Sequence, residues 1–96
     1  MGEVSLRPKA RSDLGSIWDY TVEAWGEEQA ERYLRALNQA FETLAERPRL
    51  GRLYDEVREG LRVYPSGRHL IFFFVTEGGI DVARVLHERM DVPSRL

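Results

Sequence analysis

The chain has no cysteine, which removes disulfide staples, thiolate nucleophiles and cysteine-held metals from consideration. That accords with a cytoplasmic protein. Lysine is nearly absent too: thirteen of the fourteen basic residues are arginine, and Lys9 is the one exception. No apolar run approaches the roughly 20 residues a membrane span requires. The longest, Leu70–Val75, has six. The opening MGEVSLRPKA holds no signal-like apolar stretch, so neither export nor an anchor is expected. There is no surplus of positive charge either. The net charge is −2, and residues 1–60 carry nine basic against twelve acidic side chains while residues 61–96 carry five against four. Such a chain exerts no bulk attraction on nucleic acid. Missing as well are a G-x-S-x-G elbow, a Walker-type glycine loop and a His-x-x-x-His pair. The two histidines, His69 and His87, fall on different predicted strands, so neither a metal nor any other cofactor is expected.

What is present is a core-forming composition, 43% hydrophobic with ten aromatic residues in 96. One domain over residues 1–96 is the expected organisation. Arg68–Thr76 (RHLIFFFVT) is apolar at six successive positions, so both faces of this predicted strand are greasy and it belongs in the middle of a sheet. Glu3–Leu6 is short and alternating. Pro8 then suits a first helical turn, and Ala10, Leu14, Ile17, Trp18, Val22 and Trp25 follow at one-sided helical spacing until Gly26. A second helix opens on Glu27 and Glu28, carries an apolar face from Ala30 to Ala45, and stops at Arg47–Pro48. Arg49–Gly60 reads as a charged connector. Leu61–Tyr64, Arg68–Thr76 and Ile80–Leu86 then form strands separated by Pro65-Ser66-Gly67 and Glu77-Gly78-Gly79 turns, with a polar tail over about residues 87–96.

The expected fold is therefore α+β. An N-terminal strand and an antiparallel helical hairpin lie on one face of a small, mainly antiparallel sheet, in the order β-α-α-β-β-β. Two helices cover one sheet face only, which predicts a bare, apolar reverse face for another polypeptide. Tyr64, Phe72 and Phe74 are the candidate aromatic platform there. Arg84 is the anomaly of the last strand. Strict alternation places it with Ile80, Val82 and Leu86, where an unpaired charge is costly, so either a bulge re-aims it or it lies on the open face. Asp81 and Glu88 are its candidate partners if its role is structural.

These residues resemble a known family. Leu6-x-Pro8-x-Ala10-x-x-Asp13-Leu14-x-x-Ile17-Trp18-x-Tyr20, Pro48-x-x-Gly51-Arg52, Asp55-Glu56-x-Arg58-x-Gly60-Leu61-Arg62 and Gly67-x-His69-Leu70-Ile71-Phe72-Phe73 are similar to stretches of the ParE toxins of type II toxin–antitoxin modules, in the ParE/RelE superfamily. So is Ile80-x-Val82-x-Arg84-Val85-Leu86-His87-x-Arg89-Met90-Asp91. The resemblance implies a bacterial toxin held inactive by a ParD-like antitoxin and, when freed, poisoning DNA gyrase by binding rather than catalysis. Partner contacts are then expected at Tyr64, Phe72, Phe74, Arg62, Arg84, His87, Arg89, Met90 and Asp91, without direct sequence-specific nucleic-acid binding. Two alternatives share the fold. One is a RelE-like, ribosome-dependent messenger-RNA endoribonuclease, with Arg62, Arg84 and His87 as its only candidate catalytic groups. The other is a ParE-fold binding protein without toxicity.

Overall fold

The computed structural model describes residues 2–96, with the side chains of Pro93 and Ser94 excepted. β1 (Glu3–Leu6) leads into α1 (Pro8–Trp25) and α2 (Glu27–Glu46). A single 3-10 turn (Pro48–Leu50) and the two-residue β2 (Arg52–Leu53) occupy the start of the expected connector. β3 (Leu61–Ser66), β4 (His69–Val75) and β5 (Gly79–His87) follow, and a four-residue helix, α3 (Val92–Arg95), ends the chain. The strand order is β1-β5-β4-β3-β2, with β4 in the centre as its two greasy faces require. All neighbours are antiparallel except β1 and β5, which run parallel with Val4 opposite Ile80.

The corner between α1 and α2 turns on Gly26. Its backbone (φ 93°, ψ 167°) lies at positive φ, where a side chain would be strained. Its N–H closes α1 by bonding the Val22 carbonyl at 2.8 Å. α2 buries Ala30, Leu37, Phe41, Leu44 and Ala45, one continuous face at helical spacing. α1 buries only Ala10, Ile17 and Thr21. Trp25, expected on its apolar face, is instead 73% exposed, and Tyr20 is 71% exposed.

The sheet separates two apolar clusters. On the helix side Ile71, Phe73, Ile80, Val82 and Val85 meet Ile17, Leu37, Phe41 and Leu44. On the reverse side Leu61, Val63, Phe72, Leu86 and Val92 form a second cluster, with Tyr54, Val57, Phe74 and Leu96 packed on it. The expectation of a bare reverse face is thus corrected. The connector after β2 and the C-terminal helix fold back over it, because a strand apolar on both faces has to be covered on both. Phe72 is fully buried. Tyr54 stacks over it at 6.4 Å between ring centroids and an interplanar angle of 28°, and the Arg52 guanidinium lies 5.1 Å from the Tyr54 ring. Tyr64 is likewise relocated. The β3–β4 register sets it opposite Ile71, and opposed residues share a face, so it packs on the helix side, away from Phe72 and Phe74.

Candidate functional site

Arg84 is positioned by a bulge. Phe72 stands opposite Arg84, but Phe73 stands opposite Val82, so β5 spends one extra residue at Ala83. The slip ends the strict alternation. Val82 and Val85 both reach the helix-side cluster, while Leu86 turns to the reverse side. Arg84 is delivered to the sheet edge just past the end of β1. There its partner is Asp13 of α1, and neither Asp81 nor Glu88. Nε and Nη2 each donate to a different carboxylate oxygen at 2.8 Å, a two-pronged ion pair whose side chains are only 17% and 13% exposed. This hydrogen bonding holds the guanidinium above its usual pKa despite partial burial. Asp13 also accepts the Val85 N–H at 3.0 Å. β1 no longer runs beside β5 at that point, so one carboxylate both neutralises the arginine and caps an otherwise open edge.

Arg62, in contrast, stands opposite Phe73, and its Nη1 donates to the Gly51 carbonyl at 2.7 Å. Phe72 and Phe73 point to opposite sides of β4, so Arg62 and Arg84 sit on opposite faces two strands apart. His87 is opposite His69, with ring centroids 5.3 Å apart. Arg84 and His87 line one cleft with Asp13 and Tyr20, but Arg62 lies apart from them, so the three residues named for ribonuclease chemistry do not converge.

What the reverse side retains is a groove of about 400 Å³. Leu61, Phe74 and Ala83 contribute apolar walls; Arg7, Lys9, Arg58, Arg84 and Arg95 contribute cations, and no aspartate or glutamate side chain lines it. The Arg7 guanidinium lies 4.9 Å over the Phe74 ring and pairs with Asp81 at 2.9 Å. The Arg84 Nη1 donates to the Arg95 carbonyl at 2.8 Å, and Arg58 bonds the Leu96 carbonyl, so the C-terminal helix forms one wall. Lys9 and Arg95 gave no signal in the sequence, and Arg58 only as part of a family motif, because distant segments converge here.

A second concavity, about 640 Å³, opens between the helical corner and the ends of β4 and β5. The Tyr33 hydroxyl accepts the Arg68 N–H at 2.9 Å and is hydrogen-bonded to His69 Nδ1 at 2.6 Å. Burial first, and then the neighbouring His87, pull His69 below its ordinary pKa of 6.5, with Glu88 and Asp13 opposing. Arg89 and Met90 are exposed beside this region, and Asp91 precedes α3. Among the described residues no three histidine or acidic side chains cluster as a metal would require.

This architecture, a helical hairpin on a mixed five-stranded sheet, is shared with a solved structure titled the chromosomal ParDE TA system from P. aeruginosa. The TM-score is 0.77 over 91% of this chain and 96% of that one, at 22% identity, so the likeness defines the fold class. The sequence goes further. Residues 4–92 match the model of the ParE toxin of type II toxin–antitoxin systems. Toxin ParE1 of Mycobacterium tuberculosis is 51% identical over 92 residues, 95% of this chain and 94% of that protein. Toxin ParE1 of Caulobacter vibrioides is 37% identical over 91 residues, with the same coverage. The chain belongs to the ParE toxin family. Among its described residues, no helix is long and apolar enough to cross a membrane.

Proposed function

We propose that this protein is a cytoplasmic toxin that inhibits DNA gyrase by binding it and is neutralised by a ParD-like antitoxin, without catalysis of its own. The observation that carries the reading is the 51% identity to a ParE1 toxin along almost the whole of both chains. The antitoxin is assigned to the reverse-face groove, where Phe74 and Arg84 still line open space and Lys9 and Arg95 add positive charge for an acidic, partly apolar segment. Phe72 supports that surface from beneath. A binding rather than a hydrolytic role is favoured by the separation of Arg62 from Arg84 on opposite faces, and by the engagement of Arg84 with Asp13. A phosphate-cleaving site needs its cations converged on the reacting group.

Purified protein added to gyrase and supercoiled plasmid is expected to accumulate gyrase–DNA cleavage complexes and to block supercoiling. The product of the neighbouring reading frame is expected to co-purify with the toxin and abolish the effect. Unaffected gyrase together with cut messenger RNA would overturn the assignment.

A further inference from the structure

The concavity at the α1–α2 corner is lined by side chains that the reverse-face groove leaves unused. Tyr20 and Trp25, 71% and 73% exposed, are the two most exposed large hydrophobic side chains among the described residues, and both border it. Facing them are Gln29, Arg68, His87 and Arg89, and no carboxylate lines the cleft. This is notable in a chain with more acidic than basic residues. Arg68 has only a loose contact with Glu88 at 3.9 Å, on side chains 73% and 46% exposed. The walls are held firmly: the Tyr33 hydroxyl ties the Arg68 backbone to α2, and Gly67 (φ 60°) lets the turn approach so closely that an added Cβ would lie 2.6 Å from that hydroxyl. A tryptophan left in water on a rigid frame forgoes its burial energy. With tyrosine and arginine around it, it has the composition of an interface hot spot.

We propose that this corner is a second interaction face, separate from the antitoxin groove, and that it grips an acidic patch on the toxin's target protein. A target carboxylate pairs with Arg68 and Arg89, while an apolar side chain packs on Trp25 and Tyr20. Charge complementarity argues for carboxylates, since the cleft presents only cationic and neutral groups. Protein rather than nucleic acid is favoured because the chain as a whole is negative, and Glu23, Glu27 and Glu28 flank Trp25 in sequence. Short-range pairing with a carboxylate survives that field, whereas long-range capture of a polyanion does not. The proposal rests on the toxin reading but does not need the target to be gyrase.

The test compares wild type with Trp25→Ala and with the double variant Arg68→Glu/Arg89→Glu, using three readouts. These are growth arrest on induction, capture of the co-expressed neighbouring-frame antitoxin, and inhibition of purified gyrase. All three replaced side chains are exposed, so melting temperatures are expected to match wild type. The corner variants should lose growth arrest and lower potency on the target by about tenfold or more. Antitoxin capture should persist within about twofold, as expected for separate sites. Lys9→Glu/Arg95→Glu, in the groove, should show the converse. Corner variants that arrest growth as wild type does overturn the proposal, as does loss of antitoxin capture in a stably folded corner variant. Retention of wild type on DNA alone, abolished by Arg68→Glu/Arg89→Glu, replaces the acidic protein with nucleic acid and overturns the partner assigned. If wild type arrests growth and the corner variants do not, while gyrase is untouched by any of them, the corner stands and the gyrase reading falls.

Discussion

Replacing Asp13 by alanine tests the physical link on which the placement of Arg84 depends. The carboxylate receives two guanidinium bonds at 2.8 Å and the Val85 N–H at 3.0 Å, and its side chain is only 13% exposed. Breaking a fully buried pair by removing one partner costs about 3–5 kcal/mol, mostly because the other charge is left behind. Here Arg84 keeps 17% exposure and a bond to the Arg95 carbonyl, so the lower end of that range applies, about 3 kcal/mol. For a chain of this size, that lowers the melting temperature by about 12–24 °C. Asp13→Asn keeps the shape and an acceptor but loses the charge, and should cost about half as much, near 1.5 kcal/mol. Arg84→Met strands the Asp13 carboxylate instead, which keeps only the Val85 N–H, so about 2–3 kcal/mol is expected. Urea titration of the two single variants and of Asp13→Ala/Arg84→Met closes a cycle whose coupling should be about 2 kcal/mol. A midpoint shift worth less than about 1 kcal/mol for Asp13→Ala, with additive effects in the double variant, would refute the claim that this pair fastens α1 to the β5 edge.

Phe72→Ala should destabilise the protein by about 3–5 kcal/mol, read by denaturant unfolding, because it empties a fully buried position beneath Tyr54. A near-neutral result would show that the connector does not pack on the reverse face. Gly67→Ala forces a side chain into positive φ and against the Tyr33 hydroxyl, for an expected loss of about 2 kcal/mol by the same measurement. Wild-type stability there would mean that the turn is not braced by α2. His69 is held below its ordinary pKa of 6.5, so the unfolded chain binds its proton first. Stability from this site is therefore present above about pH 6.5 and is lost as pH falls below it. Melting temperatures at neutral and mildly acidic pH should diverge less in His69→Asn than in wild type. An unchanged pH dependence would sink that assignment.

Element types and much of the order were legible in the sequence because they follow from local periodicity. The one-sided spacing from Ala30 to Ala45 and the doubly apolar Leu70–Val75 run leave few other structures open. The family was legible as well, since its motifs are strung along the chain in order. Where each functional side chain lies was only partly legible. The anomaly of Arg84 showed in the alternation, but Asp13 lies 71 positions away, and no local rule pairs them. Tyr64 looked like a neighbour of Phe72 until register set it opposite Ile71.

By itself, then, the sequence determined a helical hairpin, a central strand that must be covered on both sides, and membership of a toxin family. Only the tertiary structure decided what covers the second side and which groups converge. Tyr54, Val57, Val92 and Leu96 pack on the cluster around Phe72, and residues from five separate segments ring the groove that is left. Tyr20 and Trp25 were left in solvent because α1 turns only Ala10, Ile17 and Thr21 fully into the core, less of its circumference than its apolar content would fill.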